Sequence, residues 1–164
     1  MRITITFLAF SLMLLPCCTI EDPCEDLKCI NQGRCRDGSC DCAAGFEGDN
    51  CEIREIEKYL GTYLRGQGSC NNVDFVLGTH VITEHPFENR MIVIDDGVLD
   101  VPITAEVDGW NFVIPRQQNG YTDPQTNFSE DFEIWGQGWI DLQAGLLIYK
   151  LDNTGCEYQL ELPN

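Results

Sequence analysis

Ile103-Thr104-Ala105-Glu106-Val107-Asp108-Gly109-Trp110-Asn111-Phe112-Val113-Ile114 carries the plainest structural message in the chain. Ile103, Ala105 and Val107 alternate with Thr104, Glu106 and Asp108, the pattern of an antiparallel strand buried on one face only. Asp108-Gly109 is a turn signal, and Asn111 to Ile114 is the next strand candidate. The same period recurs on either side. Val73, Phe75, Leu77, Thr79 and Val81 fall on one face, with Asp74, His80 and Glu84 mostly on the other. Thr62 to Arg65, Arg90 to Ile94, Glu133 to Asp141, Leu146 to Leu151 and Glu157 to Leu162 complete about eight strands, with further turn signals at Asp95-Asp96-Gly97, Asn119-Gly120 and Asn153-Thr154-Gly155. Short connections favour an up-and-down antiparallel meander closed into an eight-stranded barrel, with a sandwich as the alternative.

Composition sets the compartment and removes some partners. Ten of the 164 residues are cysteine against two histidines, which points to an oxidising environment. Ten Lys and Arg face 27 Asp and Glu, a formal charge of −17, which argues against nucleic acid and anionic membrane surfaces because both demand basic patches.

Six cysteines fall at 24, 29, 35, 40, 42 and 51, the spacing C-x4-C-x5-C-x4-C-x-C-x8-C. So short a segment cannot bury a sufficient core and depends on cross-links. Spacing alone leaves 15 connectivities open. The run Cys29-Ile30-Asn31-Gln32-Gly33-Arg34-Cys35, followed by Cys40-Asp41-Cys42-Ala43-Ala44-Gly45-Phe46-Glu47-Gly48-Asp49-Asn50-Cys51, resembles an epidermal growth factor (EGF)-like domain, taken here as residues 24–52. The resemblance implies bridges Cys24–Cys35, Cys29–Cys40 and Cys42–Cys51 around a small hairpin. Asp22 and Asp37 are fragments of the family's calcium pattern, but Arg36-Asp37-Gly38-Ser39 has no aromatic residue, so a module without calcium is expected. No CxxC pair suggests zinc.

Met1-Arg2 precedes the apolar run Ile3 to Leu15, too short at about 13 residues for a bilayer of roughly 30 Å. It reads as a signal peptide over residues 1–17. Leu14-Leu15-Pro16-Cys17-Cys18 resembles the lipobox of bacterial lipoproteins, which implies cleavage and lipidation of a cysteine. Cys18, with small Cys17 before the cut, is the expected anchor, and Cys17 is the alternative. Without Arg2 the mature chain has nine basic residues against 27 acidic ones, a formal charge of −18. Residues 18–23 form an acidic tether in which Glu21-Asp22 resembles the surface-export signal of Bacteroidetes lipoproteins. The competing reading of that pair is a solvated tether, so the expected location is the bacterial outer membrane, attached through lipid alone, with either leaflet open.

After Cys51, Ile53, Ile56 and Leu60 lie at helical spacing between Asn50 as N-cap and Gly61 as stop, so a short amphipathic helix is expected to join the module to a second domain, residues 53–164. Cys70 follows the first strand of that domain and Cys156 opens the last. A Cys70–Cys156 bridge would staple neighbouring strands of a closed meander, and it leaves only Cys17 and Cys18 outside the disulfide set. Tyr59-Leu60-Gly61-Thr62-Tyr63, the cysteine after the first strand and Gly155-Cys156-Glu157-Tyr158 resemble the small lipocalin-like domains of Bacteroidetes lipoproteins. Tyr63 stands where lipocalins carry tryptophan.

No motif for a nucleophile, a zinc protease or a phosphate loop occurs, so no catalytic residue, metal or cofactor is expected. His80 and His85 read as surface residues, and Asp95-Asp96 and Glu130-Asp131 as solvated turn acids. Trp110, Trp135 and Trp139 are the ligand-binding candidates. Such rings can stack on a sugar or line an apolar pocket, and Gly136 and Gly138 between two of them would let a ligand or another backbone approach closely, while the competing reading of the tryptophans is core packing. Gln117 to Glu130 reads as a long loop. Three functions compete: a non-catalytic envelope protein binding a small apolar molecule or glycan; a structural or protein-interaction lipoprotein with a filled barrel; and a hydrolase needing convergent acids.

Overall fold

The computed structural model describes residues 22–123 and 125–163. The signal segment, Cys17, Cys18 and tether residues 18–21 lie outside the described residues.

Two small hairpins and three disulfides build the N-terminal module. β1 (Arg34–Arg36) pairs with β2 (Ser39–Asp41), and β3 (Phe46–Glu47) with β4 (Ile53–Arg54). Cys24–Cys35, Cys29–Cys40 and Cys42–Cys51 cross-link it, an arrangement compatible with an EGF-like module. Cystine takes the place of an apolar core here: Cys51 is fully buried, and a Cβ built on Gly33 would stand 2.6 Å from its Sγ.

The joining segment is not the expected amphipathic helix. Glu55–Lys58 makes a single 3-10 turn, preceded by Arg54 rather than Asn50 and without a side-chain cap. Ile53-Arg54 is drawn into β4, where Arg54 pairs with Phe46, and six residues, Glu55 to Leu60, remain before β5 begins. Only Ile56 of this turn is buried.

Ten strands follow: β5 (Gly61–Tyr63), β6 (Gly66–Cys70), β7 (Val73–Val76), β8 (His80–Glu84), β9 (Met91–Asp95), β10 (Ile103–Asp108), β11 (Asn111–Thr122), β12 (Ser129–Asp141), β13 (Leu146–Leu151) and β14 (Cys156–Glu161). They form one curled antiparallel sheet in the order β5-β8-β9-β10-β11-β12-β13-β14-β6-β7. Almost no helix is present among the described residues.

Eight strands are expected and ten are found, because the first two are each broken at the same level. Leu64-Arg65 separates β5 from β6, and Leu77-Gly78-Thr79 separates β7 from β8. One register nonetheless runs across the break, from Gly61↔Ile82 and Tyr63↔His80 to Gln67↔Val76 and Cys70↔Val73. The inward phase of the alternation changes there. Phe75 packs on the inner Gly68, whereas His80 and Ile82 face the core beyond the break. Val81 is therefore exposed, and His80, expected on the surface, is only 1% exposed.

A second difference concerns β11 and β12. The expected Asn119-Gly120 turn lies inside β11, with Asn119 opposite Phe132, and the long loop shrinks to residues 123–128. Asn119 is buried because its side chain acts as a strand partner: Oδ1 accepts from Val101 N–H at 3.3 Å and Nδ2 donates to the Val101 carbonyl at 2.7 Å.

Within the curl, Tyr59, Tyr63, Phe112, Tyr149, Ile56 of the 3-10 turn and aliphatic residues from seven strands form one apolar cluster. Cys70–Cys156 joins β6 to β14 at directly opposed positions.

Candidate functional site

On β12, Ile134, Gly136, Gly138 and Ile140 are buried while Trp135 and Trp139 stand half-buried on the opposite, outer face. Trp110, in the β10–β11 turn, is 46% exposed. The tryptophans thus belong neither to the core nor to an internal pocket. Strand parity, read from Glu133 onward, could have placed them outside.

Each tryptophan carries a cation. Lys58 Nζ lies 4.1 Å from the Trp110 ring centroid, the Arg116 guanidinium 3.8 Å from that of Trp135, and Lys150 Nζ 5.7 Å from that of Trp139. Every one of these cations also holds an acid: Lys58 pairs with Glu47 at 2.6 Å, Arg116 with Glu133 at 2.7 Å and Lys150 with Glu157 at 2.6 Å. The Lys150 contact, with a further bond from Gln159, keeps the Glu157 carboxyl below its usual range. A ring stacked by its own cation offers a ligand less face. The three basic residues had no part in the sequence reading, since nothing local ties a lysine to a tryptophan on another strand.

Inside, the space left by the glycines is filled. A Cβ on Gly138 would stand 2.1 Å from Phe112 Cζ, one on Gly136 would meet the Lys150 carbonyl, and one on Gly68 would stand 2.3 Å from the Phe75 ring. These glycines admit the protein's own rings and backbone rather than a ligand. Phe75, Tyr158, Tyr149 and His80 continue the filling as a ladder: Phe75 meets Tyr158 edge-on at 6.2 Å, and Tyr158 stacks on Tyr149 at 4.5 Å.

The histidine is held at both ring nitrogens. His80 Nδ1 is 3.1 Å from the Gly78 carbonyl, so it carries the proton, and Nε2 accepts from the Tyr149 hydroxyl at 3.1 Å. Burial pushes the Tyr149 phenol well above its usual range, with smaller contributions from Asp96 and Tyr158. His85 accepts a turn amide from Phe87. The Asp95 and Asp96 carboxylates are likewise occupied by the backbone amides of Gly97, Val98 and Leu99. These groups fix local structure and converge on no common point.

Part of the chain is similar to Protein crumbs homolog 2 of Mus musculus, 44% identical over 43 residues. The match covers 24% of this chain and 3% of that protein. No family model and no solved structure matches.

Proposed function

We propose that the chain is a lipid-anchored bacterial envelope lipoprotein in which an EGF-like stalk carries an eight-stranded, lipocalin-like barrel with a filled interior, and that it meets protein partners on its outside without catalysing a reaction. The barrel reading is supported by the pairings: with β5–β6 and β7–β8 counted as two interrupted strands, every neighbour in the meander is bonded and β14 returns to β6. Three adjacent disulfides support the stalk. The lipobox-like Leu15-Pro16-Cys17-Cys18 supports the anchor on Cys18.

The observation that carries the functional reading is the Phe112 ring seated over Gly138. A barrel that closes its glycine gaps with its own rings has no room where a lipocalin would hold its ligand. Apolar-probe binding tests this. Wild-type protein is expected to leave anilinonaphthalene sulfonate dark, and Phe112→Ala, by opening a cavity, to bind it. Stoichiometric binding by the wild type would overturn the filled-interior reading. Intact mass of protein extracted from its native membrane tests the anchor: a triacylated chain starting at Cys18, gaining two hydrogens for each of four bridges on reduction, is expected. An unlipidated chain retaining both Cys17 and Cys18 would remove the lipoprotein assignment.

A further inference from the structure

β7 is the last strand of the sheet, paired with β6 on one edge and, among the described residues, with no strand on the other. Two contacts fix which of its backbone groups face which way. Asn71 and Asn72, at φ 51° and 64°, form the two-residue turn that sets Cys70 and Val73 as a hydrogen-bonded pair. The Leu77 amide donates to the Gly66 carbonyl at 3.1 Å. Direction alternates along a strand, so Val73, Phe75 and Leu77 turn their amide groups towards β6. The N–H and C=O groups of Asp74 and Val76 point out of the free edge.

The neighbouring chain is committed elsewhere. β9 follows β8 only as far as Asp95↔Val81. Beyond it, Asp100 N–H donates to the Gly120 carbonyl at 2.8 Å and Val101 is held by Asn119, which fixes this segment to β11. The edge it leaves uncovered is apolar: Val73 is 67%, Phe75 37% and Val76 86% exposed. An uncovered edge bearing exposed apolar residues is a template for pairing, and β7 has no lysine, proline or bulge to blunt it. Its one charge is Asp74, which borders a shallow groove with Glu157 and Gln159.

From this geometry we propose that the free edge of β7 is a strand-addition site for an extended segment of another protein in which apolar residues alternate with Lys or Arg. Main-chain bonds to Asp74 and Val76 supply affinity, and cations opposite Asp74 supply selectivity. Charge chooses this occupant over a second copy. Between Arg65 and Arg116 the chain has one basic residue, Arg90, against eight acids, and the whole chain carries −17. Two such edges brought together would place like charges side by side. The proposal rests on the reading that partners bind outside a filled barrel.

Synthetic octapeptides test it on the full chain, one alternating lysine with valine and one glutamate with valine. The lysine peptide is expected to slow hydrogen exchange of the Asp74 and Val76 amides, and the glutamate peptide to leave them unchanged. Val76→Pro removes only an edge-facing donor and should weaken binding about tenfold or more. Asp74→Lys should reverse the peptide preference, and this decides the matter alone if Val76→Pro does not fold. Absent protection, equal binding of both peptides, or a wild-type dimer that Val76→Pro dissociates would each overturn the proposal. If the peptides fail while the wild type still excludes the apolar probe, the filled-barrel reading stands and only the edge site falls.

Discussion

Gly138 and Phe112 show how much of the interior rests on single atoms. The ring fills the place a side chain on Gly138 would need, at 2.1 Å from an added Cβ, so neither partner can accommodate a methyl group without moving backbone or ring. Gly138→Ala is expected to lower stability by about 1–3 kcal/mol, read from urea unfolding, as overpacked cores generally do. A cost near zero would mean the ring is free to move and the interior less filled than described. The buried phenols set the alkaline limit. Tyr63 donates to the Tyr59 carbonyl at 2.7 Å, and burial pushes its pKa up to about 12. An unfolded tyrosine ionises near pH 10, so the unfolded state loses its proton first. The stability held by Tyr63 is thus complete below about pH 10 and falls by roughly 1.4 kcal/mol per pH unit between there and its folded pKa, with Tyr59 and Tyr149, also raised by burial, adding to the slope. Spectrophotometric titration should show these phenols ionising only as the fold is lost. Ionisation of all five tyrosines near pH 10 with the fold intact would contradict the burial.

At the level of elements, the Cys70–Cys156 bridge carries the heaviest mechanical duty. It ties β6 to β14 across 86 residues of sequence, and a loop that long corresponds to as much as about 4–5 kcal/mol in the chain-entropy treatment, usually less in practice. Replacing both cysteines by serine should therefore lower the unfolding midpoint markedly while leaving the far-ultraviolet spectrum unchanged, because the ladder Cys156↔Cys70 to Leu160↔Gly66 still joins the strands. Loss of the spectrum would mean that the bridge, not the ladder, makes the junction. Strands such as β10 were legible because Ile103, Ala105 and Val107 alternate without interruption, and the cysteine pairing only through the resemblance to EGF-like domains, since spacing alone left 15 connectivities open. The break at Leu64-Arg65 was not, since neither residue is a turn former, and the facing strand is interrupted at the same level at Leu77-Gly78-Thr79. Asn119-Gly120 misled for the opposite reason. The pair is a strong local turn signal, but the amide of Asn119 is used to hold Val101, a partner 18 residues away. The tryptophans were read as ligand-binding or core residues, although strand parity could have placed Trp135 and Trp139 outside, and their cations come from other segments and leave no local trace.

For the whole molecule, the question is whether module and sheet melt as one. No flexible linker separates them: the Glu55 amide donates to the Gly45 carbonyl at 2.9 Å, and the Gly109 amide donates to Glu55 Oε2 at 3.1 Å, so one residue reaches both sides. Arg54 bonds Glu84 of β8 at 2.6 Å, and the Arg90 side chain lies under Gly45, within 2.9 Å of where a Cβ would be. Lys58 sits at the centre, its side chain only 11% exposed, bonded to Glu47 of the module and stacked on Trp110 of the sheet. Removing its charge strands Glu47, whose side chain remains about one-third exposed, so the cost is set at about 1–2 kcal/mol rather than the value for a fully buried acid. Calorimetry on the oxidised protein should then show one transition for the wild type. Lys58→Met should uncouple the halves, with the sheet keeping its midpoint and the module's contribution moving to lower temperature, while its three disulfides hold it compact. Two resolved transitions in the wild type would mean the junction is a hinge. A single transition with unchanged midpoint in Lys58→Met would assign the coupling to Glu55, whose bonds to Gly45 and Gly109 need no charge from Lys58.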